Sequence, residues 1–289
     1  MHILTFDIED WFHLLDHPET RSEKQWLGFE ARFEANLERV LAIASDSNVK
    51  ATFFCLGWIA QRYPKLIAKI AEQGYEIGCH SSRHQLAFNQ TPSEFRADLV
   101  KAKDQISSAT GLGVSVYRIP GFSLTNDSLW ALDILSEEGF EVDCSVFPAV
   151  RGHGGLPQFE SHMPCLVKTI GGFLKEFPLN TLSILGNSVV FSGGGYFRLF
   201  PYFLLKKMFK KSEYIMTYFH PRDFDSNQPL IPNLPPFRRF KSYVGLRGAE
   251  QKLRKILNEF DFIDVRTAVT KINWDTVPIV DVSAGNKVQ

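Results

Sequence analysis

The sequence predicts an α/β fold in which strands alternate with helices and pair in parallel. Three observations carry that expectation. Short apolar runs recur along the chain, each followed by a stretch with apolar residues three and four apart, the alternation that builds βαβ units with right-handed crossovers. The 289 residues are 44% hydrophobic, enough to bury a sizeable core in one α/β barrel or in two ordinary domains. Finally, the apolar runs end in carboxylates, histidines and an arginine, at the strand ends where parallel folds place their chemistry.

The first strand runs into Asp7-Ile8-Glu9-Asp10-Trp11. Crowding Asp7, Glu9 and Asp10 at the mouth of a hydrophobic strand is costly unless a cation or a proton-transfer role compensates them. Residues 12–29 read as a loop, and apolar spacing over 29–45 predicts a helix. Residues 49–55 form a compact apolar strand, and 58–72 an amphipathic helix that ends before Gly74. A third strand covers 75–80. Thr91-Pro92-Ser93-Glu94 has the capping-box pattern with proline at the first helical position, opening a helix that reaches Thr110 before Gly111. A strand at 114–118, a helix at 124–138 and a strand at 140–144 follow.

From 146 to 200 glycines and prolines cluster, and a loop-rich insertion with short strands such as 175–178 is expected. Periodicity returns with a helix at 202–210 and a strand at 214–220. A proline-rich loop spans 227–236, a helix 248–260 and a last strand 261–267. The domain is expected to close by about residue 275, leaving 276–289 as a polar, frayed tail.

Thirty-two basic residues balance thirty-two acidic ones, so the overall charge argues for neither nucleic acid nor an anionic surface, although a local basic patch is compatible with it. Cys55, Cys79, Cys144 and Cys165 form no C-x-x-C pair and read as reduced core thiols. No apolar run reaches the length of a membrane span and no signal peptide precedes the first strand, so a cytoplasmic location is expected.

His80 and His84, four residues apart, can present two imidazoles to one metal. With a carboxylate from another strand end they make a ligand set with open positions, suited to zinc, or to cobalt or manganese. Arg118 ends a buried strand, where it can pair with Asp7. The backbone amides of Gly121 and Phe122 follow it and are candidates to face a developing oxyanion. His220, at a late strand end, stands where a general acid would be needed.

Thr5-Phe6-Asp7, His80-Ser81-x-x-His84, Arg118-Ile119-Pro120, Asp143 and Tyr218-Phe219-His220 occur in that order. Together they resemble the motifs of the polysaccharide deacetylase family, the NodB-homology or carbohydrate esterase family 4 enzymes, over residues 3 to 225. Asp7-Ile8-Glu9-Asp10-Trp11 and Gly193-Gly194-Gly195-Tyr196-Phe197-Arg198 look like the subgroup of bacterial surface-glycan loci. The resemblance implies a distorted (β/α)7 TIM-like barrel, and metal-dependent removal of an N-acetyl group from an acetamido sugar of a glycan or of its nucleotide- or lipid-linked precursor.

By position, Asp7 would be the base, His80 and His84 metal ligands, Arg118 the tether of the base and His220 the acid. Where the family has a second aspartate directly after the base, this chain has Ile8. Strand alternation favours Glu9 as the third ligand and a turning chain favours Asp10. Trp11, Phe12, Trp26, Tyr196 and Phe197 are candidate sugar-stacking aromatics, and Arg198 a candidate for an anionic group on the substrate. A deformylase or other non-peptide amide hydrolase, and a metal-free carbohydrate-binding barrel, are the rival readings.

Overall fold

Thr5-Phe6-Asp7-Ile8 is buried at every position, as a strand is when neighbours cover both of its faces. In the computed structural model, which describes residues 1–14, 17–150, 154–184 and 187–282, the chain begins with β1 (His2–Ile3) and β2 (Thr5–Ile8). The βα units follow as β3 (Thr52–Cys55), β4 (Glu76–Cys79), β5 (Val116–Tyr117) and β6 (Val142–Asp143). The region expected to be irregular contains β7 (Cys165–Thr169), β8 (Gly172–Glu176), β9 (Leu182–Ile184) and β10 (Asn187–Val189). Last come β11 (Ile215–Met216), β12 (Phe262–Ile263) and β13 (Ile279–Asp281).

One sheet has the order β13-β7-β8-β6-β5-β4-β3-β2. Its pairings are parallel except for the β7–β8 hairpin. β1 runs between β11 and β12, and Phe6 bridges Phe219 in parallel, so the strand through β11 continues the sheet past β2. The run of neighbouring strands is therefore β11, β2, β3, β4, β5, β6 and β8, and Gly193 bridges Tyr218 in parallel. Between β8 and β11 side chains replace the ladder: Tyr214 Oη donates to Pro178 O at 2.8 Å and Met216 N to Asn180 Oδ1 at 3.1 Å. This seam is what distorts the seven-stranded arrangement.

Local chemistry explains where the elements depart from the sequence reading. The helix expected over 29–45 starts at Phe33, because the Asp10 carboxylate accepts from Arg32 N and Phe33 N, both at 3.1 Å, and so defines its first turn. The helix over 58–72 is two, Gly57–Arg62 and Pro64–Glu72, since Pro64 cannot donate to the preceding turn. The strand expected at 261–267 stops at Ile263; Asp264 accepts from Thr267 N at 2.8 Å and caps a helix, Val265–Lys271. The proline-rich loop leads into a helix, Pro236–Tyr243, that periodicity did not reveal.

The polar tail is corrected in part. Ile279–Asp281 pairs in parallel with β7, while 283–289 lies outside the described residues. All four cysteines are buried and free. Among the described residues no helix is long and apolar enough to cross a membrane.

Asp143 and Glu176 face each other across the β6–β8 ladder, fully buried. Burial, with the Asp143 charge adding to it, raises the Glu176 carboxyl well above its ordinary value of 4.5. The folded chain thus keeps a proton that the unfolded chain releases, so this group's contribution is complete at low pH and is lost as pH rises through its folded pKa. Glu176→Gln is expected to gain stability relative to the parent between about pH 5 and about pH 8 in urea unfolding. A stability difference that does not change with pH would contradict the proton retained on Glu176.

Candidate metal centre and active site

Beyond Ile8 the chain turns, and the turn separates three neighbouring carboxylates. Glu9 goes to the histidines: one ligand atom each from Glu9, His80 and His84 lie within 4.8 Å of one another, all on buried residues. His80 follows the end of β4, and its Nδ1 stands 2.8 Å from Arg118 O. A donated bond to that carbonyl fixes the tautomer and leaves Nε2 as the ligating nitrogen. Burial above all lowers the His80 pKa to about 4, which favours the neutral ring that a metal requires.

His84 reaches the site by a turn rather than by a helix, as its spacing from His80 had suggested. Ser81 (φ 65°) and His84 (φ 55°) both adopt left-handed backbone, and Ser81 Oγ accepts from His84 N at 2.9 Å. Such conformations cost of order 1–3 kcal/mol each and persist where the surroundings over-determine them. His84 Nε2 lies 2.7 Å from Glu9 Oε2, yet no well-directed hydrogen bond reaches that buried oxygen. Burial pushes the Glu9 carboxyl up, but the charges of His84 and His220 more than offset it and hold the group well below the usual carboxylate range. A buried carboxylate oxygen lacking a directed hydrogen bond, with two imidazole nitrogens, is a donor set that fits a divalent cation such as zinc.

Asp10 is not part of that set, which corrects its candidacy as a ligand. Its carboxylate accepts from Trp11 N at 2.8 Å and from the two amides at the start of helix Phe33–Asp46, and these bonds occupy both of its oxygens. Trp11 is buried, with Nε1 donating to Glu30 O at 2.9 Å; packed there, it has no face to offer a sugar. Phe12 and Phe197 are buried in the same way.

Asp7 is clamped instead of ligated. Arg118 Nη1 donates to Asp7 Oδ1 at 2.7 Å and to Thr5 Oγ1 at 2.6 Å, and its Nε to Cys144 O at 3.3 Å. The guanidinium lies 4.2 Å from the Phe54 ring centroid and 5.4 Å from that of Phe122. Opposite, His220 Nε2 stands 3.9 Å from Asp7 Oδ2 and 3.4 Å from Glu9 Oε1, with a quarter of its side chain open to solvent.

Behind His220 is a residue that the sequence reading missed. Asp223 Oδ2 accepts from His220 N at 2.9 Å and lies 3.3 Å from Nδ1. Burial lowers the His220 pKa, but Glu9, the hydrogen bond and charge of Asp223, and Asp7 together lift it to about 9. Arg198 is corrected here: it is buried, 3.1 Å from Asp223 Oδ1, and its Nη atoms donate at 3.0 Å to the carbonyls of Lys241, Ser242 and Val244. It holds Asp223 and has nothing left for a substrate anion. Gly245 permits this packing, because a Cβ there would lie 2.3 Å from Arg198 O. The local string His220-Pro221-Arg222-Asp223 was the available signal, since aspartate three residues on is a capping geometry.

Gly121 (φ 64°) and Phe122 (φ 50°) make a left-handed turn after Arg118. The Phe122 amide donates to Ile119 O at 3.1 Å, so it is not the free donor the sequence suggested. Tyr196 is partly exposed. A cavity of about 470 Å³ opens beside His84, lined by His13, Trp26, Gln85 and Leu86 among others. His13 is a second residue that the sequence reading passed over. Its Nδ1 accepts from Asp10 N at 2.9 Å, so Nε2 carries the proton, and that atom is buried without a hydrogen-bond partner.

Comparison with known proteins shows what the chain is similar to. Residues 17–141 match the family model for polysaccharide deacetylase, and residues 144–270 match a domain of unknown function (DUF3473). The chain is similar to a peptidoglycan-N-acetylglucosamine deacetylase of Bacillus cereus, 31% identical over 33% of this chain and 35% of that protein. It is also similar to the peptidoglycan-N-acetylglucosamine deacetylase PgdA of Listeria monocytogenes, 32% identical over 28% of this chain and 17% of that protein. The aligned stretches cover no more than 47% of the first curated relatives. Among solved structures, a candidate polysaccharide deacetylase from Mycobacterium smegmatis aligns with a TM-score of 0.65 at 19% identity, over 96% of this chain and 91% of that one. It shares the fold.

The two carboxylates that competed for the ligand role separate by experiment. Asp10→Ala leaves buried amides unpaired and is expected to cost about 2 kcal/mol in urea unfolding while zinc stoichiometry is retained. Glu9→Gln is expected to do the reverse, losing the zinc measured by elemental analysis after desalting. Zinc lost from Asp10→Ala but kept by Glu9→Gln would reverse the assignment.

Proposed function

Because the chain carries a polysaccharide deacetylase (NodB-homology, carbohydrate esterase family 4) domain, we propose that it hydrolyses the N-acetyl group of an acetamido sugar in a bacterial glycan or its precursor. The observation that supports this most is the convergence of the Glu9–His80–His84 cluster with a carboxylate clamped by Arg118 and an imidazole clamped by Asp223. Amide hydrolysis needs three things at one place: an activated water, charge stabilisation at the carbonyl oxygen, and a proton for the departing nitrogen. The arrangement has a candidate for each.

Glu9, His80 and His84 hold the cation, with zinc first and cobalt or manganese as alternatives by donor type. When bound, the cation supplies Lewis acidity toward the acetyl carbonyl and its water. Asp7 takes a proton from the attacking water through Oδ2, while Arg118 fixes Oδ1 and so the direction of the other oxygen. The water oxygen bonds to the carbonyl carbon, and the amide of Gly121 is the candidate donor to the negative oxygen that develops. His220, kept in register by Asp223, gives its proton to the amine nitrogen as the C–N bond breaks, and acetate and a free amino sugar leave. His13 and Trp26 are among the residues lining the cavity next to His84, which makes that cavity the candidate place for the sugar.

Released acetate, measured with N-acetylated glycan polymers and with nucleotide-linked acetamido sugars in parallel, tests the reaction. Asp7→Asn is expected to retain the metal and lose a factor of about 10²–10⁴ in turnover, whereas His80→Ala loses both. Full activity of Asp7→Asn would remove the base assignment. Less than about a tenth of an equivalent of metal, with no activity gained on adding zinc or cobalt, would remove the enzyme reading altogether.

A further inference from the structure

The charge balance of the whole chain hides a strong local asymmetry. Residues 177–212 contain Arg198, Lys206, Lys207, Lys210 and Lys211 and no Asp or Glu. Residues 226–249 contain Arg238, Arg239, Lys241 and Arg247, again without an acid. The fold brings these two segments together, because Arg198 bonds the carbonyls of Lys241, Ser242 and Val244.

At their junction sits the helix Pro236–Tyr243. A surface helix normally buries an apolar stripe against the core, yet this one has no buried residue. Phe237 and Phe240, three apart and on one face, are 68% and 52% exposed. Leu199, at the end of the helix that Arg198 anchors, and Phe203, the second residue of the next, are 47% and 73% exposed. The cations border these rings: Lys241 Nζ lies 4.4 Å from the Phe237 ring centroid, and Arg239 and Arg247 are exposed nearby in sequence. Aromatic residues facing outward, fringed by Arg and Lys with no acid in either segment, match a helix that lies in the headgroup plane of an anionic bilayer.

We propose that the face formed by Pro236–Tyr243 and the start of helix Tyr202–Lys211 is a peripheral docking site for an anionic phospholipid surface. This site is independent of the proposed reaction, although Arg198 and Asp223 connect it to His220. Docking there would hold the strand-end site close to a membrane, where lipid-linked glycans are presented.

The test is flotation of the full chain with vesicles of phosphatidylcholine alone and of phosphatidylcholine mixed with phosphatidylglycerol. Binding is expected only to the anionic vesicles and is expected to weaken as salt is raised. Arg239→Gln/Lys241→Gln is expected to weaken it about thirtyfold, and Phe237→Ser/Phe240→Ser about tenfold or more. Equal recovery with both vesicle types, or binding unchanged in both double variants, would overturn the proposal. So would sedimentation showing a dimer that the Phe variant dissociates, with no vesicle binding, since the occupant would then be a second copy of the chain. Acetate release plays no part in the readout, so a failure here leaves the reaction untouched.

Discussion

A guanidinium sealed inside the sheet is the constraint around which the site is arranged. Arg118 has no exposed surface, and a charge taken out of water costs several kcal/mol even after the protein relaxes around it. The fold offsets that cost with Asp7, Thr5, the Cys144 carbonyl and the Phe54 ring. The partners come from three strands, Thr5 and Asp7 from β2, Phe54 from β3 and Cys144 just after β6, so satisfying Arg118 fixes β2, β3 and β6 relative to β5. Its own carbonyl then faces His80 Nδ1, so the residue that clamps Asp7 also sets the tautomer of His80.

A second buried arginine repeats the device on the other side. Arg198 holds Asp223, and Asp223 holds His220. Asp7 and His220, the proposed base and acid, are thus each oriented through a buried carboxylate–guanidinium pair. Between them Glu9 goes to the histidines while Asp10 goes to the backbone amides of a helix start. Three acidic residues within four positions therefore take three different directions, and what separates them is the neighbour each one meets.

Much of this could be read from the chain, for identifiable reasons. The parallel alternation is written in periodicities that tertiary contacts do not override, and Asp7, His80, His84, Arg118 and His220 fall at ends of apolar runs. What escaped depends on contacts distant in sequence. Asp10 was indistinguishable from Glu9 because its true partners, the amides of Arg32 and Phe33, lie a loop away. Arg198 looked like an exposed anion receptor because nothing in Gly193-Gly194-Gly195-Tyr196-Phe197-Arg198 announces that Asp223 and three carbonyls will enclose it. Trp11 was taken for a sugar platform because an aromatic side chain has the same pattern whether it packs or binds. Helix Pro236–Tyr243 escaped because it buries nothing, and burial is what creates the periodicity by which helices are recognised.

The central claim is that clamping Asp7 on Arg118 leaves Glu9 as the carboxylate that joins His80 and His84. The most direct measurement is anomalous diffraction at the zinc edge from crystals of the full chain grown with zinc. The account predicts one peak about 2.0–2.2 Å from a Glu9 oxygen and from the Nε2 atoms of His80 and His84, with Asp7 still on Arg118 and Asp10 still on the backbone amides. A peak coordinated by Asp10 or Asp7 in place of Glu9 would contradict it.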